Sequence, residues 1–145
     1  MFTLTKSFHF AAAHRLMHYE WACRFVHGHN FTVTVTIQSE NIITQDTWFI
    51  IDHKALKPFK DHIQKQYDHA FLTQKWDPIG EYLQQAWHKV VFFDFPPSTE
   101  LLAQQFAHEF NNTLSLPAWV ILSRLYIQET PTAWAWWEIQ KQSKQ

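Results

Sequence analysis

The chain has 145 residues, enough for one domain with a substantial core, and 46% of them are hydrophobic, too many for a disordered segment. Lys and Arg number 12 against 13 Asp and Glu, for a net charge of −1, so no basic surplus points to nucleic acid or to an anionic membrane. The one cysteine fits a reducing compartment, and the N-terminus lacks the apolar core of a signal peptide. No apolar cluster is long enough to cross a bilayer, so a cytoplasmic location is expected.

Residues 2–10 place Phe2, Leu4, Phe8 and Phe10 on one face at period two, which predicts a strand. Residues 30–39 alternate Phe31, Val33, Val35 and Ile37 with Thr32, Thr34 and Thr36, the pattern of a half-buried antiparallel strand. Trp48–Ile51 reads as a short strand running into Asp52, an N-cap residue. Residues 53–66 form a first helix through Leu56, Phe59 and Ile63. In 74–96, Leu83, Ala86, Trp87, Val90 and Val91 fit an extra amphipathic helix, while Pro78, Gly80, Pro96 and Pro97 fit a loop. Ser98 caps a second main helix with an apolar stripe of Leu102, Phe106 and Phe110, and strands follow at Trp119–Glu129 and Trp134–Ile139. Strands at both ends with helices between predict an α+β domain built on an antiparallel sheet. One domain is expected over 1–140, with 74–96 as an insertion and 141–145 as a polar tail. With only 2 glycines, turns needing positive φ are expected at Asn or Asp.

The segment Cys23-Arg24-Phe25-Val26-His27-Gly28-His29-Asn30 carries the densest chemistry. In extended backbone His27 and His29 project to one face. If the first strand pairs with the 30–39 strand, His14 joins them. Three neutral imidazoles suit Zn²⁺ and leave a fourth position for water or substrate. Unrelated histidines in a His-rich chain would explain a lone His-x-His equally well; the third histidine and the nearby thiol favour a site. Cys23 itself is open between fourth ligand and nucleophile or base. His62, His88 and His108 read as helix-surface residues.

Beyond this cluster, several segments occur together: Phe10-Ala-Ala-Ala-His14-Arg-Leu16, Cys23-x-x-x-His27-Gly-His29-Asn-Phe31, Trp48-Phe-Ile-Ile-Asp52, Tyr67-Asp68-His69-Ala-Phe-Leu72, Pro97-Ser-Thr-Glu100 and Glu129-Thr130. In these segments, their order and their reach along nearly the whole chain, the sequence resembles the 6-pyruvoyltetrahydropterin synthase superfamily. It is most similar to the 6-carboxytetrahydropterin synthase branch of queuosine biosynthesis, because three residues separate Cys23 from His27 and those three, Arg24, Phe25 and Val26, include no glutamate. The resemblance implies a T-fold, with two main helices across one face of the sheet. It also implies oligomers, a trimer or hexamer whose sheets close into a β-barrel with active sites between subunits.

The resemblance further implies that His14, His27 and His29 hold zinc and that Cys23 is a catalytic base. Asp68 and His69 would be the proton-transfer pair, and Glu129 would anchor the pterin. The implied substrate is 7,8-dihydroneopterin triphosphate and the implied products are 6-carboxytetrahydropterin, acetaldehyde and triphosphate. Zinc would act as a Lewis acid, the thiolate and His69 would move protons, and a carboxylate would accept the paired pterin N–H groups. A sibling enzyme making 6-pyruvoyltetrahydropterin or a folate precursor is the nearest rival reading. A non-catalytic module with structural zinc, closed by Cys23, is the rival of another class. Lys6 and Arg15 are candidates to meet phosphates, and Glu100 reads as a helix-dipole residue. The chain departs from the family pattern at His53, at Thr73, in the length of 74–96 and in the Trp-rich Ala133–Trp137 segment.

Overall fold

The structure is a computed structural model that describes residues 1–40 and 49–139. Six strands form one sheet in the order β4-β3-β1-β2-β5-β6. They are β1 (Phe2–His14), β2 (His27–Ser39), β3 (Ala70–Gln74), β4 (Val90–Phe93), β5 (Val120–Thr130) and β6 (Ala133–Glu138). The helices among the described residues are α1 (Lys57–Tyr67), α2 (Pro78–Gln85) and α3 (Thr99–Thr113).

The long strands follow their period. Phe8, Phe10 and Ala12 of β1, and Phe31, Val33, Val35 and Ile37 of β2, are buried on one side. They pack with Phe59 and Ile63 of α1 and with Leu102, Phe106 and Phe110 of α3. Asp52 accepts a hydrogen bond from the Lys54 amide and starts a 3₁₀ turn, His53–Leu56, before α1. Ser98 caps α3 by accepting from the Leu101 amide. The opposite side of the β1–β2 pair is polar, with cross-strand contacts Thr5–Thr36 at 3.3 Å, Ser7–Thr34 at 2.8 Å and His9–Thr32 at 3.1 Å.

Four expectations are corrected. The sheet is mixed, because β3 runs parallel to both β1 and β4. Residues 49–51 form no strand, although Ile51 is buried in the core, and Trp48 lies outside the described residues, as does the 141–145 tail. In 74–96 the helix sits earlier than expected: Pro78 occupies its first turn, Asp77 caps it, Gly80 lies inside it, and Val90-Val91 are strand. Pro at the first helical position costs no hydrogen bond, so the Pro-Ile-Gly segment is compatible with helix where it looked like a loop. Among the described residues the positive φ angles fall at His69 (59°), Trp76 (69°) and Trp87 (67°), not at Asn or Asp.

Candidate metal centre and active site

The β1–β2 register assembles the histidines. His14 pairs directly with His27, and Ala12 pairs with His29. Alternation sends His14, His27 and His29 to the core side, where they continue the row of Phe10 and Phe31. The ring centroids stand 4.6 Å apart for His14–His27, 5.2 Å for His14–His29 and 5.0 Å for His27–His29. β5 adds a carboxylate. Ile127 is paired with Val33, and Glu129 follows two residues later. The β5–β6 ladder skips Glu129, since Gln128 pairs with Trp134 and Thr130 with Ala133. Such a bulge re-aims a side chain at a sheet margin. One ligand atom from each of His14, His27, His29 and Glu129 falls within 4.8 Å of all the others.

Two imidazoles are oriented for a metal by backbone carbonyls. His14 donates its Nδ1–H to the Pro97 carbonyl at 3.0 Å, and His27 donates its Nδ1–H to the Phe25 carbonyl at 2.7 Å. A carbonyl only accepts, so the Nε2 atom of each ring carries a lone pair when the ring is neutral. The Nε2 atoms of His14 and His29 both lie 2.9 Å from Oε1 of Glu129. Neither contact has hydrogen-bond geometry, and both nitrogens are buried without a hydrogen-bond partner. A lone pair facing a carboxylate oxygen at that distance calls for a cation or a proton between them. Three imidazoles and one carboxylate oxygen are a donor set that Zn²⁺ fits.

The electrostatics agree. Positive character at His14 Nε2 is the chief cause, helped by the Thr99 hydroxyl and by His29, that holds the Glu129 carboxyl down to about 2 although burial opposes this, so the carboxylate is charged and a proton or cation is what it faces. Thr99 donates to the other carboxylate oxygen, Oε2, at 2.9 Å. Burial pushes the His29 imidazole below its ordinary value; Glu129 opposes the shift, and His14 and His27 reinforce it. A neutral imidazole is the form that binds a metal.

Asp68 and His69 form a second unit at the α1–β3 junction. Oδ1 of Asp68 accepts the Ala11 amide at 2.8 Å, and Oδ2 lies 2.9 Å from Nδ1 of His69. The Ala11 amide is the main reason the Asp68 carboxyl stays below its ordinary value, with His69 and Lys89 adding to the effect against partial desolvation. His69 is 83% exposed in its side chain. It lines a cleft of about 480 Å³ together with Gly28, His29, Asn30, His88 and Lys89. A second cleft of about 480 Å³, lined by Gly28, His29, Asn30, Gln128 and Glu129, shares that β2 rim. Cys23 lies in a 3₁₀ turn, Ala22–Arg24, on the β1–β2 connection and is partly buried. The structure thus gathers His14, His27, His29 and Glu129, pairs Asp68 with His69, and keeps Cys23 outside the cluster of ligand atoms.

Other readings shift. Arg15 does not face open solvent. Its Nε donates to Oδ2 of the fully buried Asp77 at 2.8 Å, and Thr73 donates to the same oxygen. His88 lies between α2 and β4 rather than on a helix, whereas His62 and His108 do lie on α1 and α3. Glu100 is exposed in the first turn of α3, as its dipole reading requires. Composition and period missed Thr99 and the carbonyls of Pro97 and Phe25. The signal for Pro97 and Thr99 was the Pro97-Ser-Thr-Glu100 segment, and Phe25 is one of the unspecified residues between Cys23 and His27.

The 6-pyruvoyl tetrahydropterin synthase family profile matches residues 3–140. The chain belongs to this family. A 6-carboxy-5,6,7,8-tetrahydropterin synthase of Synechocystis is 37% identical over 83 residues, 55% of this chain and 62% of its own length. The enzyme of that name from Bacillus subtilis is 26% identical over 137 residues, 92% of this chain and 82% of its own. The structure of Caenorhabditis elegans 6-pyruvoyl tetrahydropterin synthase superposes with a TM-score of 0.70 at 20% identity, covering 96% of each chain. The sheet with its helices is therefore the T-fold, and the chain is an enzyme of the pterin-synthase kind, a lyase.

Proposed function

We propose that the chain is a zinc-dependent 6-carboxytetrahydropterin synthase of queuosine biosynthesis. It converts 7,8-dihydroneopterin triphosphate and water to 6-carboxy-5,6,7,8-tetrahydropterin, acetaldehyde and triphosphate. The observation that carries this reading is the buried, unpartnered Nε2 pair of His14 and His29 beside His27, with the tautomers of His14 and His27 fixed by carbonyls. His14, His27 and His29 hold the ion. Zinc bound there supplies Lewis-acid polarisation of the substrate's side-chain oxygens, which makes the neighbouring carbon more acidic.

The chain's own residues do the rest. Cys23 takes the proton from the substrate side chain. His69, with Nδ1–H held by Asp68, presents Nε2 to accept or return a proton on the open side. The charged Asp68 carboxylate stabilises the imidazolium formed at that moment. Glu129, oriented by Thr99, accepts the amino and ring N–H groups of the pterin. Active sites lie at the interface of a homo-oligomer, and the exposed Trp134 and Trp136 on the edge strand β6 give that interface apolar surface.

Incubation with dihydroneopterin triphosphate is the direct test, and stoichiometric acetaldehyde is expected. A product that keeps its three-carbon side chain would move the chain to the pyruvoyl or folate type. The Cys23→Ala variant separates catalysis from structure. It should keep its metal and its melting temperature while losing turnover, whereas loss of metal and fold together would make Cys23 a structural ligand.

A further inference from the structure

The 74–96 segment is unexplained by the chemistry above, yet one of its side chains reaches the proton-transfer pair. Lys89 precedes β4, and its Nζ donates to two carbonyls at 2.8 Å, those of Lys65 and Asp68. The first belongs to the last turn of α1, whose carbonyls have no partner within the helix. The second belongs to the residue whose carboxylate holds His69. The main chain of Lys89 is itself fixed, because its carbonyl accepts the Phe71 amide at 2.9 Å.

This matters because His69 is strained. Its φ of 59° is a left-handed conformation that a residue with a side chain adopts only when its surroundings enforce it. On the β1 side, enforcement comes from the Ala11 carbonyl, which accepts the His69 amide at 2.6 Å, and from the Ala11 amide, which donates to Asp68. The ammonium of Lys89 grips the Asp68 main chain independently of those two bonds. Lys89 and His69 also line the same cleft. With two donors committed to carbonyls, Lys89 is better suited to holding the turn than to gripping a phosphate.

We propose that Lys89 is a positioning residue that locks the Asp68–His69 turn for proton transfer, which gives the 74–96 segment a part in the reaction. The proposal deepens the functional reading above and rests on it. A lysine that merely caps α1 is the competing account.

The test compares wild type with Lys89→Met and Lys89→Arg, with Lys89→Gln used if the methionine variant does not fold. Amide hydrogen exchange and the ¹⁵N signals of the His69 ring are read first, without substrate. The Met variant should show faster exchange at the His69 amide and loss of the Nδ1–H tautomer, while amides of β2 and α3 keep their protection. With dihydroneopterin triphosphate, kcat should fall by about tenfold or more with KM within about threefold, and Lys89→Arg should recover most of it. Unchanged exchange and an unchanged His69 ring overturn the proposal. So does faster exchange with kcat held within about twofold, which would make Lys89 a helix cap only. If wild type does not turn over this substrate, the functional reading fails, and the ring signals still decide whether Lys89 positions His69.

Discussion

His14 and His27 are each committed to one orientation by a backbone carbonyl, and the cluster can be tested residue by residue. His29→Ala removes one of the three proposed ligands and should drop bound metal well below one equivalent, as read by elemental analysis of the purified protein. Glu129→Gln distinguishes the pterin anchor from a metal ligand. The anchor role predicts retained metal and a raised KM, and metal loss would move Glu129 into the ligand set. Asp77 tests structure rather than chemistry. Burial pushes its carboxyl up, yet the Thr73 hydroxyl, the Arg15 guanidinium and the Ile79 amide together hold it below the ordinary value. Removing that charge leaves Arg15 without its partner, so Asp77→Asn should lose about 3 kcal/mol in denaturant melts near neutral pH. A depressed carboxyl stabilises the fold above its unfolded pKa and ceases to do so as pH falls through the folded value. The gap between wild type and Asp77→Asn should therefore be full above the ordinary value of 3.8 and close at lower pH.

Elements whose apolar period is long were legible. β1, β2, α1, α3 and β5 appear where alternation or helical spacing places them, and the cap residues Asp52 and Ser98 do what their types predict. β3 and β4 were not legible, because Ala70–Gln74 and Val90–Phe93 are short and carry no alternation. Such segments become strands only when neighbours supply hydrogen bonds, here β1 to β3 and β3 to β4. α2 was misplaced because Gly80 reads as a breaker. The structure shows why it is glycine: an added Cβ would lie 2.7 Å from Cγ2 of Thr73 and 2.8 Å from the Phe92 ring. Helix propensity favours alanine over glycine by about 1 kcal/mol, but the clash with the packed sheet outweighs that. Gly80→Ala should lower the melting temperature, and a rise would mean that Phe92 moves aside freely.

Among the described residues, α1 and α3 cover one side of the sheet, α2 packs through Gly80 on Thr73 and Phe92 of the opposite side, the rest of that side along β1–β2 is polar, and the sheet ends in two edges, β4 and β6. An edge strand bearing exposed Trp134 and Trp136 invites pairing with another chain. Replacing both with serine should shift the protein toward monomer in light scattering and cut activity in parallel if the sites lie between subunits; activity in a stable monomer would place the site within one chain. Residue types and period predicted the long elements, and the resemblance carried by the short segments implied the T-fold, because both rest on local pattern. Tertiary structure alone decided the strand order, the mixed sheet and the tautomers of His14 and His27. It also brought Glu129 to the imidazoles and Lys89 to the Asp68 turn. Apart from the local His27–Phe25 bond, each of those depends on groups far apart in the chain, which the pairing of β1 with β2 and β3, of β2 with β5 and of β3 with β4 brings together.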